Sequence, residues 1–148
     1  MITRSLTGDI PYYRLLSPAY ANLPLSGMGA AAKGGRFNRP GQEALYLAGA
    51  GTTAMAEYQQ DNPWLPPGML CSYAVDGLNV ADFSAGYDAV NWPPLWAQHA
   101  VDWRAILFHH GQVPPTWLMA DSVVNAGLDG LLFPLSLIHI SEPTRRRG

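Results

Sequence analysis

The chain has 148 residues, of which 48% are hydrophobic and 11% aromatic, and this length and composition are typical of one folded domain. Its 15 glycines and 13 prolines indicate many turns and argue against a helical bundle. Nine Lys and Arg residues against eleven Asp and Glu residues give a formal charge of −2, which provides no broad positive field for the backbone of a nucleic acid.

The first third of the sequence predicts two strands separated by a loop. Residues 12–16 have the composition of a strand, and residues 19–32 are rich in Gly, Pro, Ala and Ser, which predicts a loop. Residues 44–48 form the second predicted strand, in which Tyr46 faces away from its two Leu neighbours because side chains alternate along a strand. A Pro-Gly turn signal before it indicates a hairpin or a close pair of strands.

The middle of the sequence predicts a helix followed by two strands. Residues 52–62 begin with two threonines that can cap a helix and end with an Asn-Pro stop, which places Glu57 about one turn into the helix. Residues 69–75 and 78–82 have strand composition, and the Asp-Gly pair between them predicts a turn.

The last predicted elements are two helices and a strand. Residues 93–107 give the clearest helix, because four apolar side chains fall at helical spacing: Trp96, Ala100, Trp103 and Leu107. Residues 116–126 predict a second helix, capped by Thr116 and ended by a glycine. Residues 130–134 predict the start of a buried strand.

The C-terminal end does not continue this pattern. From Leu135 the sequence LSLIHISEPTR resembles the in-frame translation of a sequencing-library adapter, so we predict a truncated domain over residues 1–134 and a non-native, adapter-derived tail over residues 135–148. The alternative is a native basic tail that includes the arginines at 145–147. Residues 135–140 alternate like a strand and can pair fortuitously with the edge that the truncation leaves open.

Several other patterns do not complete a known site. The glycines at residues 27–35 lack the order of a nucleotide-binding loop and predict a flexible loop. On a helix, His109 and His110 point about 100° apart, and they have no partner at ligand spacing, so we predict no metal site. The single Cys71 excludes an internal disulfide, fits a reducing compartment and is expected to be a small buried hydrophobe.

Three residues together are suited to a nucleotide sugar. Arg36 follows a glycine pair, and its planar guanidinium suits bidentate contact with phosphate oxygens. Tyr46 offers a ring for stacking and a hydroxyl that can donate, and Glu57 can hold a ribose hydroxyl or stabilise positive charge on a sugar ring. The alternative is that an Arg in a turn, a half-buried Tyr and a surface Glu have structural roles alone.

The same residues belong to a longer pattern. In order and spacing, the chain resembles the RES domain family as far as Pro134, in the segments YR at 13–14, KGGRFN at 33–38, ALYLA at 44–48 and TAMAE at 53–57. The resemblance implies a fold like that of ADP-ribosyltransferase toxins. We therefore expect an α+β domain with a split, mostly antiparallel sheet and flanking helices.

The resemblance also implies an activity, cleavage of the nicotinamide–ribose bond of the substrate NAD⁺ with water, phosphate or a protein side chain as acceptor. The family's Arg, Tyr and Glu fall on Arg36, Tyr46 and Glu57, which would hold the diphosphate, bind the nicotinamide or its ribose, and stabilise the oxocarbenium-like transition state. Arg14 is expected to join the first two in binding NAD⁺. The family's Ser follows the position of Pro134, where this chain has leucine, and Ser136 is assigned no role. We therefore expect the 148-residue chain to be inactive and poorly stable.

The family resemblance implies a partner as well, a helix-turn-helix antitoxin of the Xre type that can bring toxin copies together. The formal charge predicts no direct binding to nucleic acid. Because no signal peptide and no run of ~18 apolar residues is present, the sequence also predicts no membrane binding and a cytoplasmic location. The rival interpretation is a non-catalytic partner-binding module that keeps a RES-like fold.

Overall fold

The structure, a computed structural model, describes residues 1–20, 22–60 and 62–141. The arginines at 145–147, on which the alternative of a native basic tail depends, lie outside these residues. Within them are five strands, β1 Thr3–Leu16, β2 Ala44–Ala48, β3 Met69–Asp82, β4 Gly130–Phe133 and β5 Ser136–Ile140. Three α-helices, α1 Met28–Lys33, α2 Gly51–Gln59 and α3 Pro115–Asn125, pack around the strands. The domain is therefore a mixture of α and β structure, as the sequence predicts.

The five strands form one sheet that closes on itself in the order β1-β2-β5-β4-β3. The sheet is mixed, because β3 and β4 are parallel while the other four pairs are antiparallel. The expected split in the sheet is absent from the described residues. The sheet closes because β1 pairs with β3 along most of its length and also reaches β2, where Tyr13 lies opposite Ala48.

Strand β3 replaces the two strands and turn predicted for this region. At Asp76-Gly77, where the sequence predicts a turn, the structure has an irregularity inside one continuous strand. Gly77 has a φ of +83° there. The register between β1 and β3 shifts on either side of Thr7, which lies opposite Asp76. Because β1 continues past this point as a partner, the extra residues form a bulge and the strand does not reverse direction.

The predicted helix over residues 93–107 is wrong. This region holds a short 3₁₀-helix at Pro94–Gln98 and a π-helix at Ala105–His109. Of the four residues that carried the prediction, only Trp96 is fully buried, and Ala100 is exposed. Trp92 and Trp96 pack against Phe83 with ring centroids 4.8 and 5.2 Å apart, and this packing holds the first half of the segment close to the core.

The other helices follow the sequence more closely. Helix α3 buries Trp117, Ala120 and Val123 on one face, which confirms the predicted helix there. Helix α2 confirms the predicted helix after β2, although it ends at Gln59, four residues before Pro63. The region 19–32, predicted as loop, contains a 3₁₀-turn at Pro18–Tyr20 and most of α1. No helix in the described part of the chain has the length and hydropathy of a bilayer-crossing segment.

Strand β5 is formed by the residues predicted to be adapter-derived. It pairs with β2 on one side and with β4 on the other, and Leu137, Ile138 and Ile140 are buried. These residues therefore form a strand, as their alternation predicts. The assignment of the segment to a non-native tail stays a prediction.

Candidate functional site

A cleft of about 770 Å³ opens beside the sheet and brings three of the predicted site residues together. Arg36 comes from the loop between α1 and β2, Tyr46 from β2, and Glu57 from α2, and all three line this cleft. Arg14 lines an adjoining cavity of about 240 Å³, which shares Tyr46 and Glu57 with the cleft. The structure thus places all four predicted residues at one connected site.

The loop of residues 34–38, called here the Arg36 loop, requires glycine at two positions. Gly34 has a φ of +78°, which residues with a side chain rarely adopt. A Cβ on Gly35 would lie 2.7 Å from both the Asn38 Oδ1 and the Tyr46 hydroxyl oxygen. The Gly-Gly pair is therefore needed for the loop to pack against these two polar groups.

Asn38 organises this loop from the interior of the domain. Its side chain is fully buried, and Nδ2 donates to three backbone carbonyls, those of Ala30 and Gln42 at 2.9 Å and that of Arg39 at 3.2 Å. Its Oδ1 accepts a hydrogen bond of 2.8 Å from the Tyr46 hydroxyl. Because Asn38 is fully buried and its bonds are at least partly shielded from water, they hold the loop in one conformation.

The Tyr46 hydroxyl has both a donor and an acceptor role inside the protein. It donates its proton to Asn38 and accepts the Phe37 N–H at 2.9 Å. Burial raises the pKa of this hydroxyl, and the Phe37 N–H and the nearby Arg36 charge oppose the shift. Tyr46 therefore stays neutral at physiological pH, and in this arrangement its only proton is already used.

The Arg36 side chain contacts Phe37 in its own loop and the backbone at His99. One terminal nitrogen, Nη2, donates to the backbone carbonyl of His99, and the guanidinium carbon lies 5.6 Å from the centre of the Phe37 ring. Its Nε is buried and has no hydrogen-bond partner among the described residues. Burial lowers the pKa of the guanidinium, which remains a cation at neutral pH.

Glu57 lies in the second turn of α2, at the junction of the two cavities. Its side chain reaches solvent, yet neighbouring protein partly desolvates the carboxyl group and raises its pKa. In the part of the chain that the structure describes, its carboxylate makes no hydrogen bond or ion pair. A carboxylate in this position is available to a positively charged ligand.

Helix α3 holds the Arg36 loop from the outside. The Trp117 indole N–H donates to the carbonyl of Gly35 at 2.7 Å, and Arg39 forms a bidentate ion pair with Asp121 at 2.6 and 2.8 Å. The ion pair is more than a third exposed, so it contributes little stability compared with the indole bond. Together these contacts fix the loop relative to the core.

The cleft is also lined by residues that were not predicted as site residues, among them Gln60, Trp103, Arg104 and Ser136. Gln60 ends α2 with a φ of 49°, a strained conformation for a residue other than glycine. Trp103 and Arg104 precede the π-helix, in the region that the sequence presents as a regular helix with Trp103 in the core. In the sequence, the only signal for a site at Trp103 and Arg104 is that an aromatic and a cationic residue are adjacent.

No group of three or more His, Cys, Asp or Glu side chains in the described ranges has the arrangement of a metal site. His109 and His110, considered for such a site, lie at the end of the π-helix and are exposed. Neither histidine lines the cleft.

Comparisons with known proteins agree with the geometry. The family model described as RES domain matches residues 11–142, which include β5. The fold is similar to that of a chain in the crystal structure of the M. tuberculosis MbcT–MbcA toxin–antitoxin complex, with a TM-score of 0.60 and 20% identity, covering 96% of this chain and 80% of that chain. At this identity the likeness concerns the fold. No curated protein matches the sequence.

Proposed function

This chain belongs to the RES domain family, and from that premise we propose that its cleft binds NAD⁺ and cleaves the bond between nicotinamide and ribose. The observation that carries the proposal is the convergence of Arg36, Tyr46 and Glu57 from three elements on one cleft. The resemblance in sequence implies these three roles, and the geometry supports them because a cation, an aromatic ring and an unpaired carboxylate suit the three parts of the ligand.

Glu57 would stabilise the charge that develops as the bond breaks. When the bond between ribose C1′ and the nicotinamide nitrogen breaks, its electron pair goes to nicotinamide, which leaves neutral, and positive charge develops on the ribose ring. The acceptor oxygen then bonds to C1′ and loses its proton. A carboxylate that has no hydrogen-bond or ion-pair partner among the described residues can interact with this charge without a competing protein group.

Arg36 would bind the diphosphate and Arg14 would assist from the adjoining cavity. The Nε of Arg36 has no partner in the described residues, and its contact with His99 can be exchanged for phosphate oxygens, which form stronger charge-assisted bonds. Arg14 donates to the carbonyl of Ser26 at 3.0 Å while it lines the cavity beside Glu57. Tyr46 would contact the nicotinamide or its ribose. Water, phosphate and a protein side chain all remain candidates for the acceptor.

One observation favours the alternative, a partner-binding module without catalysis. Tyr46 and Arg36 already have internal hydrogen-bond partners, as expected of residues kept for structure. Glu57 distinguishes the two functions, because it has no such partner within the described residues. Its substitution should therefore leave the fold unchanged in both cases and remove activity only in the first.

We further propose that the protein is a toxin controlled by a helix-turn-helix antitoxin of the Xre type, acting on the NAD⁺ pool of the cytoplasm. Membership of the RES family supports this proposal, and the similar chain from M. tuberculosis was crystallised in a toxin–antitoxin complex. Expression of a complete domain without its antitoxin is expected to stop growth and deplete NAD⁺. Normal growth with a good soluble yield would contradict it.

We also propose that residues 135–148 are not native to the domain and that the chain is consequently weak in activity. The adapter-like string and the leucine in place of the family's Ser after Pro134 support this proposal. A version in which a complete RES sequence follows Pro134 is expected to melt at a higher temperature and release nicotinamide faster. Ser136→Ala in the present chain is expected to change neither property. Equal melting and equal rates for the two C-termini would show that Pro134 is no boundary.

The test of the catalytic proposal is Glu57→Gln in that completed version, which keeps the size of the side chain and removes its charge. Nicotinamide release is expected to fall by about 10²–10³, the usual cost of losing such a group, while melting is unchanged. Asp76→Asn, which removes an exposed carboxylate outside the cleft, is the matched control. Full activity of a well-folded Glu57→Gln protein would exclude the assigned role.

The pH dependence gives a second readout of the same residue. The reaction needs the ionised carboxylate, and burial raises the pKa of Glu57 above its ordinary value of 4.5. The rate should therefore be lost as the pH falls through that raised pKa, and the acid limb should lie above pH 4.5. Its disappearance in Glu57→Gln, measured as residual release against pH, would assign the limb to this residue.

A further inference from the structure

A second arginine, Arg104, lines the cleft without a hydrogen-bond or ion-pair partner among the described residues. Trp103 and Arg104 both line the cleft, and the Arg104 guanidinium carbon lies 5.1 Å from the centre of the Trp103 ring. Across the described ranges, Arg104 makes no hydrogen bond or ion pair, although the guanidinium offers five donors. An exposed cation held only by an aromatic ring keeps these donors available to a ligand.

The backbone around this pair is fixed before any ligand binds. Oδ1 of Asp102 accepts the N–H of Ala105 at 3.1 Å, and the Asp102 carbonyl accepts the N–H of Ile106 at 3.1 Å. A π-helix begins at Ala105, and such helices are rare and often found at functional sites. Arg104 is therefore presented from a locally ordered turn.

The two arginines of the cleft come from segments that touch each other. Arg36 donates to the carbonyl of His99, which lies in the same segment as Arg104, five residues before it. This bond joins the Arg36 loop to the segment of residues 92–110, called here the aromatic segment. Two guanidinium groups are thereby brought to one cleft from separate parts of the sequence.

The charges of the cleft match those of a dinucleotide. The charged side chains that line it in the described residues are Arg36, Arg104 and Glu57, two cations and one anion. A nicotinamide dinucleotide has two negative charges on its diphosphate and one positive charge on its nicotinamide ring. With Glu57 beside the positive ring, Arg36 alone would face two phosphate charges within the cleft, since Arg14 lines the adjoining cavity. Arg104 supplies a second cation in the cleft itself.

We propose that Arg104, supported by the Trp103 ring, is a further binding residue for the diphosphate of the dinucleotide, beside Arg36 in the same cleft. This inference rests on the proposed function in that NAD⁺ is the ligand. Arg104 contacts no reacting atom in this assignment, so it contributes equally to binding of the ground state and the transition state. Such contacts change the Michaelis constant and leave kcat unchanged.

The test is calorimetric binding to the 148-residue chain, because binding requires no turnover. Three ligands separate the parts of the dinucleotide: NAD⁺, ADP-ribose, which lacks nicotinamide, and nicotinamide riboside, which lacks the diphosphate. Arg104→Ala is expected to weaken NAD⁺ and ADP-ribose by the same factor, about tenfold, as for loss of a charged hydrogen bond. Nicotinamide riboside should bind equally to both proteins. Arg104→Lys, which keeps the charge and loses the fork, should give an intermediate loss for the first two ligands.

Arg4→Ala is the matched control, because Arg4 is an exposed arginine at the start of β1 that does not line the cleft. It should leave all three affinities unchanged. Equal affinity of wild type and Arg104→Ala for NAD⁺, or an equal loss for all three ligands, would overturn the inference and leave the proposed function standing. Arg104-dependent binding of ADP-ribose without nicotinamide release from the completed version would support the inference and contradict the proposed reaction. Absence of binding to all three ligands in both the 148-residue chain and the completed version would overturn both.

Discussion

The Arg36 loop and the aromatic segment each supply a cation to the same cleft, and they are built in different ways. The loop is short and held by hydrogen bonds to its neighbours, with Asn38 buried at its centre. The aromatic segment spans residues 92–110 and is held at one end by packing of two tryptophans against Phe83. At its other end, Arg104 lies over the Trp103 ring and makes no hydrogen bond or ion pair with the described residues.

This difference explains why the sequence predicts Arg36 as a site residue and does not predict Arg104. The loop depends on particular residue types at adjacent positions, two glycines, an arginine and an asparagine, so its geometry leaves a local pattern. The aromatic segment depends on contacts with residues far along the chain. Its apolar spacing is that of a helix, and distant packing imposes another conformation.

The largest effect on stability is expected at Asn38. Asn38→Ala would remove the donor to three carbonyls and the acceptor of the Tyr46 proton, leaving buried polar groups unpaired, and should cost about 3–4 kcal/mol of unfolding free energy. Urea denaturation measures the change. Asn91→Ala is the control from the border of the aromatic segment. Within the described residues that exposed amide donates to the Asp88 carboxylate alone, so its loss should cost less than about 1 kcal/mol. Similar losses for both would show that the loop is not specially constrained.

A smaller loss is expected when the space inside the loop is filled. Gly35→Ala would place a methyl group 2.7 Å from the Asn38 and Tyr46 oxygens, and the resulting shift should cost about 2 kcal/mol. Gly29→Ala is a suitable control, since a Cβ there meets nothing within 4 Å. Thermal melting distinguishes the two. If Gly35→Ala were as stable as the control, the requirement for glycine in the motif would need another explanation.

The smallest effect is expected in the aromatic segment and tests its conformation. Ala100 lies between the 3₁₀-helix and the π-helix and is exposed, so Ala100→Gly should change stability by less than about 0.5 kcal/mol. Ala56→Gly makes the same exchange at a solvent-exposed position in the middle of α2, and it should cost about 1 kcal/mol. Equal costs in parallel denaturation experiments would favour the continuous helix that the sequence predicts over residues 93–107.

Much of the candidate site could be predicted because its residues belong to local patterns. The Gly-Gly-Arg motif, the strand around Tyr46 and the helix around Glu57 each have a signal within a few residues, and the structure brings them to one cleft. The internal use of the Tyr46 hydroxyl could not be predicted in this way. It depends on the depth at which Asn38 is buried, which follows from packing against α1 and β2.

The amino-acid sequence by itself determined the mixed α and β composition, the positions of β2, α2, α3 and β4, and the identity of the residues that occupy the Arg36 loop. These features follow from alternation, capping and the conformational freedom of glycine, which act over neighbouring residues. Closure of the sheet, the continuity of β3 through Gly77 and the broken helix before Arg104 were decided by the tertiary structure. Each depends on a partner distant in sequence: β3 pairs with β1, and the tryptophans of the aromatic segment pack against Phe83. The free energy of those contacts exceeds the local conformational preference of the chain.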